Sequence, residues 1–89
     1  MFNSTHNSFY LGEDPQRPLA EINFIPLGDQ ELSIEHTYVS DTLRGQGMGG
    51  KLVDAVADLA RAQGKKLSAT CSFAGKLLRE DTKYSDIIK

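Results

Sequence analysis

The sequence predicts an α+β fold in which three antiparallel strands precede one long helix, a parallel fourth strand and a short final helix, in the order βββαβα. Two runs of alternating apolar and polar residues between positions 19 and 39 predict strands, and one stripe of helical period between 48 and 60 predicts the helix. A chain of 89 residues holds a single domain, residues 1–89, and buries only about 60–65% of its unfolded surface, so its core must be simple.

Taken in order, residues 1–8 are polar and turn-prone and are expected to fray, and Phe9, Tyr10 and Leu11 begin a short first strand. GEDPQRP then reads as a turn. From Leu19 to Pro26, Ala20, Ile22 and Phe24 alternate with Glu21 and Asn23, the period of a half-buried strand, and Leu27, Gly28 and Asp29 close it as a hairpin. The third strand runs from Glu31 to about Val39. Strict alternation puts Leu32, Ile34 and Tyr38 on one face, with His36 on that apolar side, and Ser33, Glu35 and Thr37 on the other. Met48, Leu52, Val53, Val56, Leu59 and Ala60 then recur at helical spacing from about Met48 to Gln63, and Gly64 supplies the C-cap. Leu67, Ala69 and Cys71 fit a short strand that can pair in parallel with the third through a right-handed crossover. Phe73, Leu77 and Leu78 and then Tyr84, Ile87 and Ile88 predict a short helix and an apolar tail docked on the sheet.

Composition narrows the function. A net charge of -2 and a pI of about 5.6 lack the basic footprint that a nucleic-acid backbone requires, and Arg61, Lys65 and Lys66 read as a solvated complement to a helix dipole. One cysteine, Cys71, with only His6 and His36, supports neither a disulfide framework nor a structural zinc site. No apolar run approaches the roughly 20 residues of a membrane span, and MFNSTHNSFY lacks the regions of a signal peptide, so a cytoplasmic protein in a reducing compartment is expected, without nucleic acid or membrane partners.

The chemistry concentrates in RGQGMGG, residues 44–50. Set between a strand and a helix, this segment places unpaired amides at a helix N-terminus, where an anion binds, and glycines let a phosphate approach without a Cβ in the way. The P-loop pattern fails because Gly50 and Lys51 are followed by Leu52 rather than a hydroxyl residue. The dinucleotide pattern, laid on Gly45, Gly47 and Gly50, fails because antiparallel hairpins precede it and no acid-bearing second strand follows. What fits is R/Q-x-x-G-x-G/A on Arg44, Gly47 and Gly49, with Val39 and Ser40 leading in and Leu52 and Val53 beginning the buried helix face.

That signature resembles motif A of the GNAT acyltransferases. Phe9-Tyr10-Leu11, Ala20-Glu21-Ile22, His36-Thr37-Tyr38-Val39, Cys71-Ser72-Phe73 and Tyr84 are similar to the small stand-alone members called N-acetyltransferase domain-containing proteins, over nearly the whole chain. In that subfamily Arg-His-Pro precedes the tyrosine region, whereas this chain has Arg79, Glu80 and Asp81. The resemblance implies a minimal GNAT-like core that binds acetyl-CoA (coenzyme A), with the pyrophosphate on the amides from Gln46 to Gly49 and the pantetheine beside the end of the third strand. On that reading Thr37, Val39, Ser40, Arg44, Gly45, Gln46, Gly47, Met48, Gly49, Ser72 and Phe73 line the cofactor site. Larger GNAT enzymes clasp the acceptor with further helices and strands that this chain is expected to lack, so an open acceptor site, or one completed by a protein partner, is expected.

Cys71 lies where a strand gives way to a helix, and the positive end of that helix lowers a thiol pKa. It is a candidate to accept the acyl group as a thioester, to line the thiol end of coenzyme A, or to protonate the departing thiolate. Glu35 and His36 are the candidate bases for an attacking amine, and Tyr10 and Tyr84 candidate hydroxyl donors. The expected activity is N-acetyl transfer to an amine, by direct attack or through Cys71; the alternative is a non-catalytic acyl-CoA-binding module working with a protein partner.

Overall fold

A computed structural model of the chain describes residues 2–89. Its elements are β1 (Asn3–Thr5), β2 (Ser8–Leu11), β3 (Ala20–Leu27), β4 (Glu31–Val39), α1 (Met48–Gln63), β5 (Lys66–Ala69) and α2 (Ser72–Glu80), with short 3-10 turns at Asp41–Leu43 and Thr82–Tyr84. The strands form one sheet in sequence order, antiparallel from β1 to β4 and parallel between β4 and β5. The parallel step needs a connection long enough to return the chain to the same end, which α1 supplies. This is the expected α+β architecture with one strand added at its start.

That added strand corrects the expectation of fraying over residues 2–8; Met1, the first residue of that expectation, lies outside the described residues. Asn3–Thr5 pairs with Ser8–Tyr10, held by Thr5 Oγ1 against Ser8 Oγ at 2.7 Å and by Asn3 Nδ2 donating to Gly12 O at 2.9 Å. The polar sequence NST gives no alternation to read; its pairing is held by these hydrogen bonds together with Phe2, which precedes it and packs against the core.

One face of the sheet holds the core. Leu52, Val53, Val56, Ala57 and Ala60 of α1 are fully buried against Ala20, Ile22, Ile34 and Leu67, each large aliphatic contributing about 1.5–3 kcal/mol by leaving water. Ala74 and Leu78 of α2 join the same cluster, as do Tyr84 and Ile87. The tail lies along β5, with Leu67 N–H donating to Ile87 O and Lys89 N–H to Leu67 O. Arg61 fastens it to α1 by donating to both carboxylate oxygens of Asp86 and to Lys83 O, so this basic residue holds the tail rather than merely facing water.

The alternation read along β4 breaks at one point. Asn23 pairs with His36 and Phe24 with Ile34, which leaves Glu35 as an extra residue in a β-bulge. A one-residue insertion exchanges the faces of everything beyond it. Thr37 and Val39 therefore lie opposite Ile22 and Ala20 on the core face, while His36 and Tyr38 are exposed on the other face. The placement of His36 and Tyr38 on the apolar side, and of Thr37 away from it, is corrected accordingly. Among the described residues no helix is long and apolar enough to cross a membrane.

Candidate functional site

Beyond Val39 the chain makes a tight approach to α1. Ser40 caps the turn at Asp41–Leu43, Arg44 leaves it extended, and Gly47 takes the N-cap position of α1 with φ 70°. A left-handed backbone costs an L-residue roughly 1–2 kcal/mol, and a Cβ at Gly47 would meet nothing within 4 Å, so conformation rather than crowding requires glycine there. With no side chain to cap the helix and no acidic residue in its first turn, the opening amides of α1 are left unpaired.

Those amides border an open cavity of about 360 Å³ between the α1 N-terminus, the end of β4 and the start of α2. Of the expected cofactor residues, Thr37 and Val39 line it from β4, Arg44, Gly45, Gly47, Met48 and Gly49 from the loop and helix, and Phe73 from α2. Leu43 and Gly50 line it too, although the motif did not single them out. Ser40, Gln46 and Ser72 do not line it; Ser40 instead accepts from Thr42 N–H. Arg44 is exposed and its guanidinium lies 3.0 Å from Asp41.

Next to this cavity β4 and β5 part. Their pairing ends at Ile34 and Ala69, and the amides of Thr70 and Cys71 both donate to Ile34 O, at 2.9 and 3.3 Å. β4 continues to Val39 paired with β3 alone, whereas the other chain segment turns into α2. The bulge at Glu35 sits at the fork.

Cys71 occupies the N-cap of α2, half-buried, with Sγ 3.7 Å from Thr37 Oγ1. Burial is the largest single influence and pushes its thiol up, but the amides of Ala74 and Phe73 and the Thr37 side chain and backbone together outweigh it, leaving the pKa below the ordinary 9.0. The helix end faces the sulfur without closing a capping hydrogen bond. Glu35 lies on the opposite face of the sheet, where Oε2 accepts from Ser33 Oγ at 2.9 Å and from Thr70 Oγ1 at 2.8 Å. Thr70, next to Cys71, thus ties Glu35 across the fork. His36 is exposed beside it and lies opposite Asn23. Tyr84 is remote from this chemistry: it is buried, donates to Asp54 Oδ1 at 2.6 Å and has its pKa raised by burial and then by that carboxylate.

The fork thus has two sides, with a glycine-opened helix end, Thr37 and Cys71 on one and Glu35 and His36 on the other. A family model described as GCN5-related N-acetyl-transferase matches residues 8–87. This chain belongs to the GCN5-related N-acetyltransferases. Among solved structures, a GCN5-like protein from Staphylococcus aureus is 40% identical, with a TM-score of 0.87 over 100% of this chain and 87% of that one. Tetrahymena GCN5 has a TM-score of 0.63 at 17% identity, over 82% of this chain and 48% of that one. A ribosomal-protein-alanine N-acetyltransferase from Brucella melitensis biovar Abortus 2308 has a TM-score of 0.58 at 23% identity, over 85% of this chain and 62% of that one. The last two share the fold alone, and the chain spans about half to three fifths of their lengths.

As a GNAT domain the chain is an acetyltransferase, of a family that typically binds acetyl-CoA. The residues present suit that donor: a pyrophosphate needs unpaired amides and space free of Cβ atoms, and the α1 N-terminus offers the amides with open space at Gly45, Gly47 and Gly50, while the Phe73 ring covers Gly49.

Proposed function

We propose that this domain takes acetyl-CoA on the cavity side of the fork and transfers the acetyl group to an amine arriving from the opposite face of the sheet. The observation that carries this reading is that one gap between β4 and β5 is flanked by the carboxylate of Glu35 on one side and on the other by the cavity, whose lining residue Thr37 is touched by Cys71 although Cys71 does not itself line it. The opening amides of α1 hold the pyrophosphate, Arg44 adds charge at its edge, and Thr37 and Val39 guide the pantetheine toward the fork. Glu35 takes a proton from the ammonium form of the acceptor; the free amine nitrogen then bonds to the carbonyl carbon, the carbon–sulfur bond breaks, and the departing thiolate takes up the proton that the nitrogen sheds, leaving as coenzyme A.

The lowered thiol pKa of Cys71 favours a covalent variant, in which its thiolate first takes the acetyl group from acetyl-CoA and the amine then takes it from Cys71. Both routes form an amide and release coenzyme A. The test is release of free coenzyme A from acetyl-CoA with a panel of primary amines. Transfer by the native protein, lost in Glu35→Gln, supports the reading; tight acetyl-CoA binding with no transfer to any amine makes the domain a binding module instead. Full transfer by Cys71→Ser excludes the covalent route and leaves the direct one.

A further inference from the structure

The sheet face away from the core carries a row of three side chains in register. Tyr10 of β2 lies opposite Glu21 of β3, and Glu21 lies opposite Tyr38 of β4. Their sequence neighbours Phe9, Leu11, Ala20, Ile22 and Val39 pack into the core, so all three point to the other face. Directly opposed residues on one face stand with Cβ atoms about 4.5–5.5 Å apart. A carboxylate is therefore flanked on both sides by a phenol ring. Tyr38 is 44% exposed and Glu21 is half-buried, and among the described residues no Lys or Arg pairs with Glu21. A lone carboxylate between two electron-rich rings is the arrangement that takes up an ammonium group, by charge and by cation–π attraction.

The row also stands at a useful distance from the fork. Glu35, the bulged residue, stands between the levels of Asn23 and Phe24, two to three residues beyond Glu21 along the sheet and one strand across, so with a rise of about 3.3 Å per residue and a strand spacing of about 4.8 Å the two glutamates are roughly 8–11 Å apart. Both belong to the face from which the amine approaches. A four-carbon diamine spans roughly 6 Å between its nitrogens by standard bond lengths. With a hydrogen bond of about 2.9 Å at each end, it reaches from one carboxylate to the other.

Resting on the reading of the fork as the transfer site, we infer that the acceptor is a small diamine or polyamine. One ammonium is held by Tyr10, Glu21 and Tyr38, and the second is delivered to Glu35, which takes its proton to free the amine. The row sets specificity by rewarding the second charge, and a monoamine gains nothing from it.

The test compares butylamine with 1,4-diaminobutane as acceptors for the intact protein and its Glu21→Gln variant, with acetyl-CoA as donor. The expected result is a KM at least tenfold lower for the diamine, a preference that Glu21→Gln erases and Glu21→Asp partly restores. Equal KM values in the native protein overturn the inference, as does a preference that survives Glu21→Gln. Transfer to lysine-containing peptides but not to diamines overturns it too. A second readout is independent of turnover: titration with 1,4-diaminobutane should shift the backbone amide resonances of Tyr10, Glu21 and Tyr38, and less so in Glu21→Gln. Shifts at that row without any acetyl transfer overturn the transferase reading and support the diamine site; transfer without such shifts does the reverse.

Discussion

Gly49 is a glycine because of Phe73, and the contact makes a measurable coupling. Gly49 has an ordinary helical backbone in the first turn of α1, and Phe73 begins α2 across from it. A methyl group at Gly49 would stand 2.6 Å from Cζ and 2.9 Å from Cε2 of the ring. Carbon atoms rest at about 3.5–4.0 Å, so the ring must retreat by roughly 1 Å. Because Phe73 is 48% exposed, it swings aside instead of disrupting the core. Overpacking costs about 1–3 kcal/mol, and an exposed ring belongs at the low end. Against this, Gly→Ala in a helix gains up to about 1 kcal/mol. The two nearly cancel, so Gly49→Ala in the native background should change stability by less than about 0.5 kcal/mol. In a Phe73→Ala background the clash is gone and the same substitution should stabilise by about 1 kcal/mol. The cycle therefore predicts a coupling of about 1 kcal/mol, or roughly 4–8 °C in Tm for a domain of this size. Thermal melts of the four proteins measure it. Equal stabilisation by Gly49→Ala in both backgrounds would refute the contact. Since both residues line the cavity, Gly49→Ala should also weaken acetyl-CoA binding despite its small effect on Tm.

Val56→Asp buries a carboxylate at a fully enclosed position on α1 with no partner, at a cost of several kcal/mol against a total stability of about 4–13 kcal/mol for a chain this long; circular dichroism should find it unfolded or its Tm lowered by more than about 20 °C, and an unchanged melt would contradict the packing of α1. Alkylation of Cys71 by iodoacetamide should stay fast below pH 9.0 and slow when acetyl-CoA is present; a thiol inert at every pH is core packing, and a reactive but unprotected one lies outside the donor site. Acid should loosen the tail. Glu31 is held below 4.5, first by Lys89 and then by Ser68, and Asp86 below 3.8, first by Arg61. Depressed carboxylates contribute stability that is complete above those ordinary values and is lost as pH falls through the folded ones, so Tm should decline from about pH 4.5 downward. Arg61→Gln should flatten the Asp86 part of that decline, and an identical pH profile would rule out the Arg61–Asp86 tie.

What the chain's periodicity could report, it reported well. Glu31–Val39 and Met48–Gln63 have the limits that alternation and helical spacing predict, with Gly64 as the C-cap. Alternation misled at Glu35, because a bulge is set by how β3 and β4 pair and nothing in ELSIEHTYV marks the extra residue. The error moved His36 and Thr37 to the wrong faces, and with them which of the two meets the cavity. RGQGMGG disclosed the open helix end, but its glycines serve different needs: Gly47 answers a left-handed backbone and Gly49 the Phe73 ring, 24 positions away in a sequence that cannot show the contact. Thr70 went unremarked because its hydroxyl matters only through Glu35, 35 residues away and joined to it by the parallel pairing of β4 and β5. Asn3–Thr5 was illegible for want of apolar residues.

In the proposed function acetyl-CoA lies against the opening of α1 and reaches the fork between β4 and β5. Amide chemical shifts of the isotopically labelled protein, followed through a titration with acetyl-CoA, test it most directly. The largest saturable shifts are expected at Arg44–Gly50, Thr37–Val39 and Cys71–Phe73, with their loss in Gly47→Val, whose branched side chain is strained at φ 70° and obstructs the amides. Shifts centred elsewhere, or an unchanged response in folded Gly47→Val, would contradict it.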